Sequence, residues 1–320
     1  AAGYYGLDIL DRNVEDSDSN VTRFVILRDP DRVELTDAEE RSFRSGQLHV
    51  TANIPISKIA VYEKEAPHFY KPNLMLASYF FRFNVNVPPL NDPRVRRALA
   101  MAIDREAIVR DVTRGGQIAA GNLCPPNLAG FTAKSKLPID LAAAKKLLAE
   151  AGFPEGKGFP KIEILFNTNE GHRQIAEAIQ QMWKRGLGID IGLYNQEAKV
   201  WNDSMRTLNY QIARFAWVGD YLDASTFLDL MASDNGNNQT GWKNAEYDRL
   251  ITQANNTADA TKRYEFYQRC EEILAEECPI APIYFYARNN LRRPEVQGWY
   301  GNLLDDHPLK GVYLDPALAK

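Results

Sequence analysis

Lys161-Ile162-Glu163-Ile164-Leu165-Phe166-Asn167 places Ile162, Ile164 and Phe166 at alternate positions, and the chain repeats that alternation at Ile189, Ile191 and Leu193. Between these runs, His172–Lys184 sets Ile175, Ile179, Met182 and Trp183 on one face at helical spacing, with Gly186 expected to stop the helix. Strand, helix and strand over Lys161–Tyr194 form a βαβ unit, which normally joins parallel strands by a right-handed crossover. The fold class that follows is α/β.

Outward from this unit the pattern stays mixed. Leu74–Asn86 is aromatic and β-rich, and Pro88-Pro89 closes it. Asp92 is placed to cap a helix with Pro93 in its first turn, and Val95, Ala98, Leu99, Ala102 and Ile103 share one apolar face. Asp104 can cap a second helix ending near Gly115-Gly116, and Asp140 a third, Leu141–Ala151, that stops at Gly152. Tyr210–Val218 reads as a strand, Ala245–Asn255 and Ala260–Cys278 as helices, and Ile280–Arg288 as a last strand crossing back to another lobe. Residues 1–30 stand apart, with a strand at Thr22–Leu27 and a charged, proline-containing joint at Arg28-Asp29-Pro30-Asp31-Arg32.

The bulk properties exclude several classes. A chain of 320 residues can hold two lobes with real cores. A net charge of -4 gives no reason to expect nucleic acid as a partner. No apolar run reaches the length of a membrane-spanning helix, so no direct membrane span is expected. Cys270 and Cys278 lie eight apart in a helical stretch, roughly 12 Å at 1.5 Å per residue, too far for a disulfide. Neither these cysteines with Cys124, nor His49, His68, His172 and His307, have metal-ligand spacing, and no cofactor is expected. The Ala1-Ala2-Gly3 start shows no signal peptide, which is either removed or not included. The sequence has no Gly-rich phosphate loop, no Gly-x-Ser-x-Gly elbow and no His-Glu-x-x-His helix, and Gly115-Gly116 follows a helix rather than a strand. No catalytic residue is assigned and no enzyme is expected.

The stretch that carries ligand chemistry is Arg214-Phe215-Ala216-Trp217-Val218-Gly219-Asp220-Tyr221. A carboxylate just past a strand end, flanked by indole and phenol, suits an ammonium group: the charge supplies a strong pair, and the rings supply apolar area and cation–π attraction. The plain alternative is that Asp220 caps the next turn and Trp217 fills core.

From about residue 46 to residue 313 the chain resembles the extracytoplasmic oligopeptide-binding proteins of ABC importers, solute-binding family 5. The resemblance runs through Phe83-Asn84-Val85-Asn86-Val87-Pro88-Pro89-Leu90-Asn91-Asp92-Pro93-Arg94-Val95-Arg96-Arg97-Ala98, Ala102-Ile103-Asp104-Arg105 and Ala144-Lys145-Lys146-Leu147-Leu148-Ala149-Glu150-Ala151-Gly152. It continues through Leu165-Phe166-Asn167-Thr168, Trp217-Val218-Gly219-Asp220-Tyr221 and Pro279-Ile280-Ala281-Pro282-Ile283-Tyr284-Phe285-Tyr286. It implies a type II periplasmic-binding architecture whose two lobes close over a peptide, without catalysis, for delivery to an ABC permease. By resemblance, Asp220 holds the peptide's amino terminus, the backbone beside it (Trp217, Val218, Gly219) pairs with the extended ligand, and Tyr286 lines the cleft. Asn167, His172 and Arg214 match positions around pockets for side chains or the ligand's carboxylate, although His172 also suits a surface or capping place at its helix start. Met205 falls where the classical peptide binder has a basic residue, with Arg206 adjacent. The implied location is periplasmic or otherwise extracytoplasmic.

Family members are longer and begin with segments that build most of the first lobe, so the first lobe is expected to be incomplete. The expected division is 1–30 as a separate segment, 31–95 as part of the first lobe, 96–278 as the second lobe with the ligand face, and 279–320 returning to the first. Residues 1–27 resemble the end of a prephenate dehydratase catalytic domain through Tyr5-Gly6-Leu7, Asn13-Val14-Glu15-Asp16 and Thr22-Arg23-Phe24. No dehydratase activity is expected, because a threonine without its partners lacks the positioned constellation the chemistry needs. The alternatives to peptide binding are therefore a dehydratase-related fragment or an inert product without a competent cleft.

Overall fold

The computed structural model describes residues 36–318. Ten α-helices and eight strands occur among them, besides short 3-10 and π turns: α1 (Thr36–Arg44), α2 (Ile56–Glu65), β1 (Tyr70–Phe83), α3 (Pro93–Met101), α4 (Arg105–Ala107), β2 (Ile118–Ala119), α5 (Leu141–Glu150), β3 (Glu163–Asn167) and α6 (Glu170–Leu187). They continue with β4 (Gly192–Gln196), α7 (Ala198–Arg206), β5 (Ile212–Val218), α8 (Ser225–Leu228), α9 (Ala245–Asn255), α10 (Ala260–Glu277), β6 (Ile280–Leu291), β7 (Val296–Gln297) and β8 (Tyr313–Leu314). The segment resembling a prephenate dehydratase, with Thr22, lies outside the described residues.

The described residues fall into two compact units. The larger holds Leu76–Thr113 and Ile118–Tyr286; the smaller holds the residues up to Met75, Arg114–Gln117 and those from Ala287 onward. These bounds differ from the lobe limits expected from the sequence: residues 76–95 belong to the larger unit, where Ala77–Phe83 pair with β5.

The larger unit is built on a sheet in the order β2-β6-β1-β5-β3-β4. The βαβ unit is present, with β3 and β4 parallel in the register Glu163↔Gly192 to Asn167↔Gln196, and β5 runs parallel to β3 and antiparallel to β1. Helix α6 buries His172, Ile175, Ala176, Ile179, Trp183 and Leu187, the face a 3.6-residue period selects. The Trp183 indole N–H donates to the Leu99 carbonyl at 2.8 Å, so the largest core side chain also satisfies its polar atom. Gly186 does not end α6: the helix runs through it to Leu187, and Gly188, at φ 72, takes the left-handed cap that favours glycine. The Asp92, Asp104 and Asp140 caps form as expected, accepting from the N–H groups of Arg94, Ala107 and Ala143. Buried Arg96 closes the C-terminal end of α10, donating to the carbonyls of its last residue, Glu277, and of Cys278. The cysteines are free and buried.

The smaller unit packs Phe43, Ile54, Ile59, Tyr70 and Leu291 into one cluster. The Glu39 carboxylate ties α1 to the next segment by accepting from the N–H groups of Ala52 and Asn53.

Candidate ligand-binding site

Every candidate residue lies in the larger unit, and five of the eight lie on or just past β5. The register Phe81↔Arg214, Tyr79↔Ala216 and Ala77↔Val218 places Arg214, Ala216 and Val218 on one face of the sheet with Tyr79 and Phe81. Phe215 and Trp217 therefore face the other side, with Ser78, Phe80 and Arg82.

On the first face the structure gathers four expected residues around one that the sequence did not single out. Arg214 donates to the Asn167 side-chain oxygen and the Tyr286 hydroxyl, both at 3.1 Å. Its guanidinium lies 4.9 Å from the centre of the Tyr79 ring, within cation–π range. The Tyr79 hydroxyl meets His172 Nδ1 at 3.3 Å, and its ring stacks on Tyr284 at 4.7 Å. Tyr284 in turn packs edge-on to Tyr286 at 5.1 Å. Asn167, His172, Arg214 and Tyr286 thus form one polar–aromatic cluster centred on Tyr79. His172 is buried, which excludes the surface placement, and its own N–H is capped by Asn169.

On the opposite face the Arg82 guanidinium lies 3.5 Å from the Phe215 ring centre and donates to Gln239 and to the Asn237 carbonyl. Complete burial pulls its pKa down to about 10, still well above neutral, so the group stays charged. The basic residue missing at Met205 is not replaced by its neighbour: Met205 is buried with Leu165, Trp201 and Tyr210, and Arg206 pairs with Asp203 at the surface.

Asp220 sits apart from the cluster. It lies two residues past the end of β5 and six beyond Arg214, and its hydrogen bonding is to Thr226 rather than to any member of the cluster. Gly219 leads into it, with its N–H on the Leu76 carbonyl at 2.7 Å. A side chain on Gly219 has no room, since a Cβ would meet Leu76 at 2.7 Å and Thr226 at 2.9 Å. The Asp220 N–H donates to the Thr226 hydroxyl, and the Trp217 indole N–H donates to the Thr226 carbonyl. The turn is capped by Asp223, which accepts from the Ser225 N–H, and not by Asp220. The Asp220 carboxylate is exposed and has no cationic partner among the described residues. Also among the described residues, no group of three His, Cys, Asp or Glu is placed to hold a metal ion, and no helix is long and apolar enough to cross a membrane.

Residues 33–239 match the family model described as bacterial extracellular solute-binding proteins, family 5, middle region. The chain belongs to this family. The oligopeptide-binding protein OppA of Bacillus subtilis is 34% identical over 82% of this chain and 50% of its own length. The periplasmic oligopeptide-binding protein OppA of Salmonella typhimurium is 35% identical over 88% of this chain and 53% of its own. Among solved structures, the Escherichia coli murein tripeptide binding protein MppA superposes with a TM-score of 0.77 at 35% identity, over 87% of this chain and 56% of that one. Haemophilus influenzae OppA in complex with the peptide RPPGFSPFR gives 0.74 at 31% identity, over 87% and 56%. The fold is that of the periplasmic binding proteins of this family. The chain spans about half the length of the curated relatives it matches.

Proposed function

We propose that this chain carries the peptide-holding face of an extracytoplasmic solute-binding protein that serves an ABC importer, with Asp220 receiving the peptide's α-ammonium group and no reaction taking place. The observation that carries the reading is the Asp220 carboxylate itself: exposed, without a cationic partner among the described residues, and set at the end of a strand by two hydrogen bonds on Thr226. Its alternative role as a turn cap belongs to Asp223. A structural ion pair would have filled the position with a lysine or arginine of the chain. The cluster around Tyr79 draws Arg214 from the same strand, Asn167 from β3, His172 from α6 and Tyr286 from β6, and in this reading serves the rest of the ligand. Relatives named as oligopeptide-binding and periplasmic support both the ligand class and the location.

The test is calorimetric titration of trialanine and N-acetyl-trialanine into the wild type and Asp220→Asn. A hydrogen bond to a charged group contributes about 1.5–3 kcal/mol, so Asp220→Asn is expected to weaken trialanine roughly 10- to 150-fold. Acetylation is expected to cost the wild type a similar amount and the variant much less, because both changes remove one interaction. Equal acetylation losses in the two proteins would place the ammonium elsewhere.

A further inference from the structure

We infer that Asp223 is a positioning residue that fixes the direction in which Asp220 presents its carboxylate to a ligand ammonium; the inference rests on the reading of Asp220 given above. Asp220 is carried by the connection between β5 and α8, and four donors converge on Asp223 within it. Its Oδ1 accepts from the Ser225 N–H, the Ser225 hydroxyl and the Tyr267 hydroxyl, each at 3.0 Å. Its Oδ2 pairs with Arg263 at 3.0 Å.

Arg263 and Tyr267 are four residues apart on α10, so they reach the connection from one face of that helix. Tyr267 is 1% exposed. Burial first, and then the charge of Asp223, push its phenol up, which keeps the hydroxyl protonated and donating. The two ends of the connection are tied by the Gly219 N–H to the Leu76 carbonyl and the Cys124 thiol to the Ala224 carbonyl. Between them the remaining bonds are local: Asp220 N–H to Thr226, Asp223 N–H to the Tyr221 carbonyl, and the Tyr221 hydroxyl to Ser225. Asp223 is thus the point where the middle of the segment carrying Asp220 is anchored to α10, a long helix whose inward face, Tyr267 included, is buried. An exposed carboxylate on an unanchored connection would have to be ordered by the ligand, which opposes binding, whereas one on a fixed support is already aimed.

The experiment compares wild type, Asp220→Asn, Asp223→Ala and Asp223→Asn by calorimetry with trialanine and N-acetyl-trialanine, alongside thermal melts. Asp223→Ala is expected to weaken trialanine about ten-fold and N-acetyl-trialanine by less than about two-fold. Asp223→Asn keeps an oxygen for Ser225 and Tyr267, and is expected to retain most of the preference for the free amine. Tyr267→Phe removes one donor without opening a cavity, and is expected to shift the preference in the same direction by about two- to four-fold even if Asp223→Ala does not fold. A purely structural role predicts instead a lower melting temperature with both peptides weakened equally, and that result overturns the inference. If the wild type prefers the free amine and Asp220→Asn abolishes the preference while Asp223→Ala and Tyr267→Phe keep it, the Asp223 role alone is wrong. If the wild type shows no preference, the Asp220 reading fails and the Asp223 role with it.

Discussion

Gly219→Ala probes whether close packing sets the position of the Asp220 segment. The added Cβ would lie 2.7 Å from two Leu76 side-chain carbons and 2.9 Å from the Thr226 methyl. Ordinary carbon contacts need about 3.5–4.0 Å, so the deficit is roughly 1 Å on two sides. Leu76 is 2% exposed and cannot swing into solvent, and the Gly219 N–H is held on the Leu76 carbonyl, so the backbone has little freedom to retreat. Overpacking of this kind costs about 1–3 kcal/mol. For a unit of this size, that corresponds to a fall of roughly 2–10 °C in melting temperature. Displacement of the neighbouring Asp220 is expected to weaken trialanine by about ten-fold and N-acetyl-trialanine far less. Thermal melts and calorimetry measure both effects. Leu76→Ala makes space where the new methyl group intrudes, so Gly219→Ala should cost at least about 1 kcal/mol less in that background. A Gly219→Ala protein that melts within about 1 °C of wild type, with unchanged trialanine affinity, would refute the packing argument.

Arg82→Met should destabilise the protein by about 2–4 kcal/mol in urea unfolding, because it strands the Asn237 carbonyl and the Gln239 side chain and loses the stack on Phe215; a loss below about 0.5 kcal/mol would contradict this. Burial raises the pKa of Glu271, although the N–H groups of Cys124 and Leu123 oppose the shift. The unfolded chain therefore releases this proton first as pH rises, so the site's contribution to stability declines from about pH 4.5 upward and levels off above the folded value. Glu271→Gln should remove that decline, and parallel stability–pH curves for the two proteins would show that the buried carboxyl is not its source.

The sequence made the core of the fold legible because the signals were local. Alternation at Ile162, Ile164 and Phe166, the apolar face of α6 and the capping aspartates each act within one or two turns of chain, and each formed. The helix stop was misplaced by two residues, since Gly186 and Gly188 are alike in sequence and only the backbone shows which one adopts positive φ. In the candidate site, Asn167, His172, Arg214 and Tyr286 were named from the sequence, yet Tyr79, which joins them, was not. Tyr79 lies in an aromatic run where every position looks like core, and its partner across the sheet, Ala216, is more than a hundred residues away. Pairing register decides which tyrosine faces the arginine, and no local pattern carries it. Asp223 was hidden for a similar reason: its donors Arg263 and Tyr267 come from a distant helix. The period of two along β5 was available, and it alone separates Trp217 from the face of Arg214.

The most direct test of the central claim is a crystal structure of the chain with trialanine bound, read at the peptide's α-nitrogen. The account predicts that this nitrogen lies about 2.7–3.2 Å from an Asp220 carboxylate oxygen, with Asp223 still bonded to Ser225 and Tyr267. A bound peptide whose α-nitrogen lies beyond about 4 Å from Asp220, with another group holding it, would contradict the account.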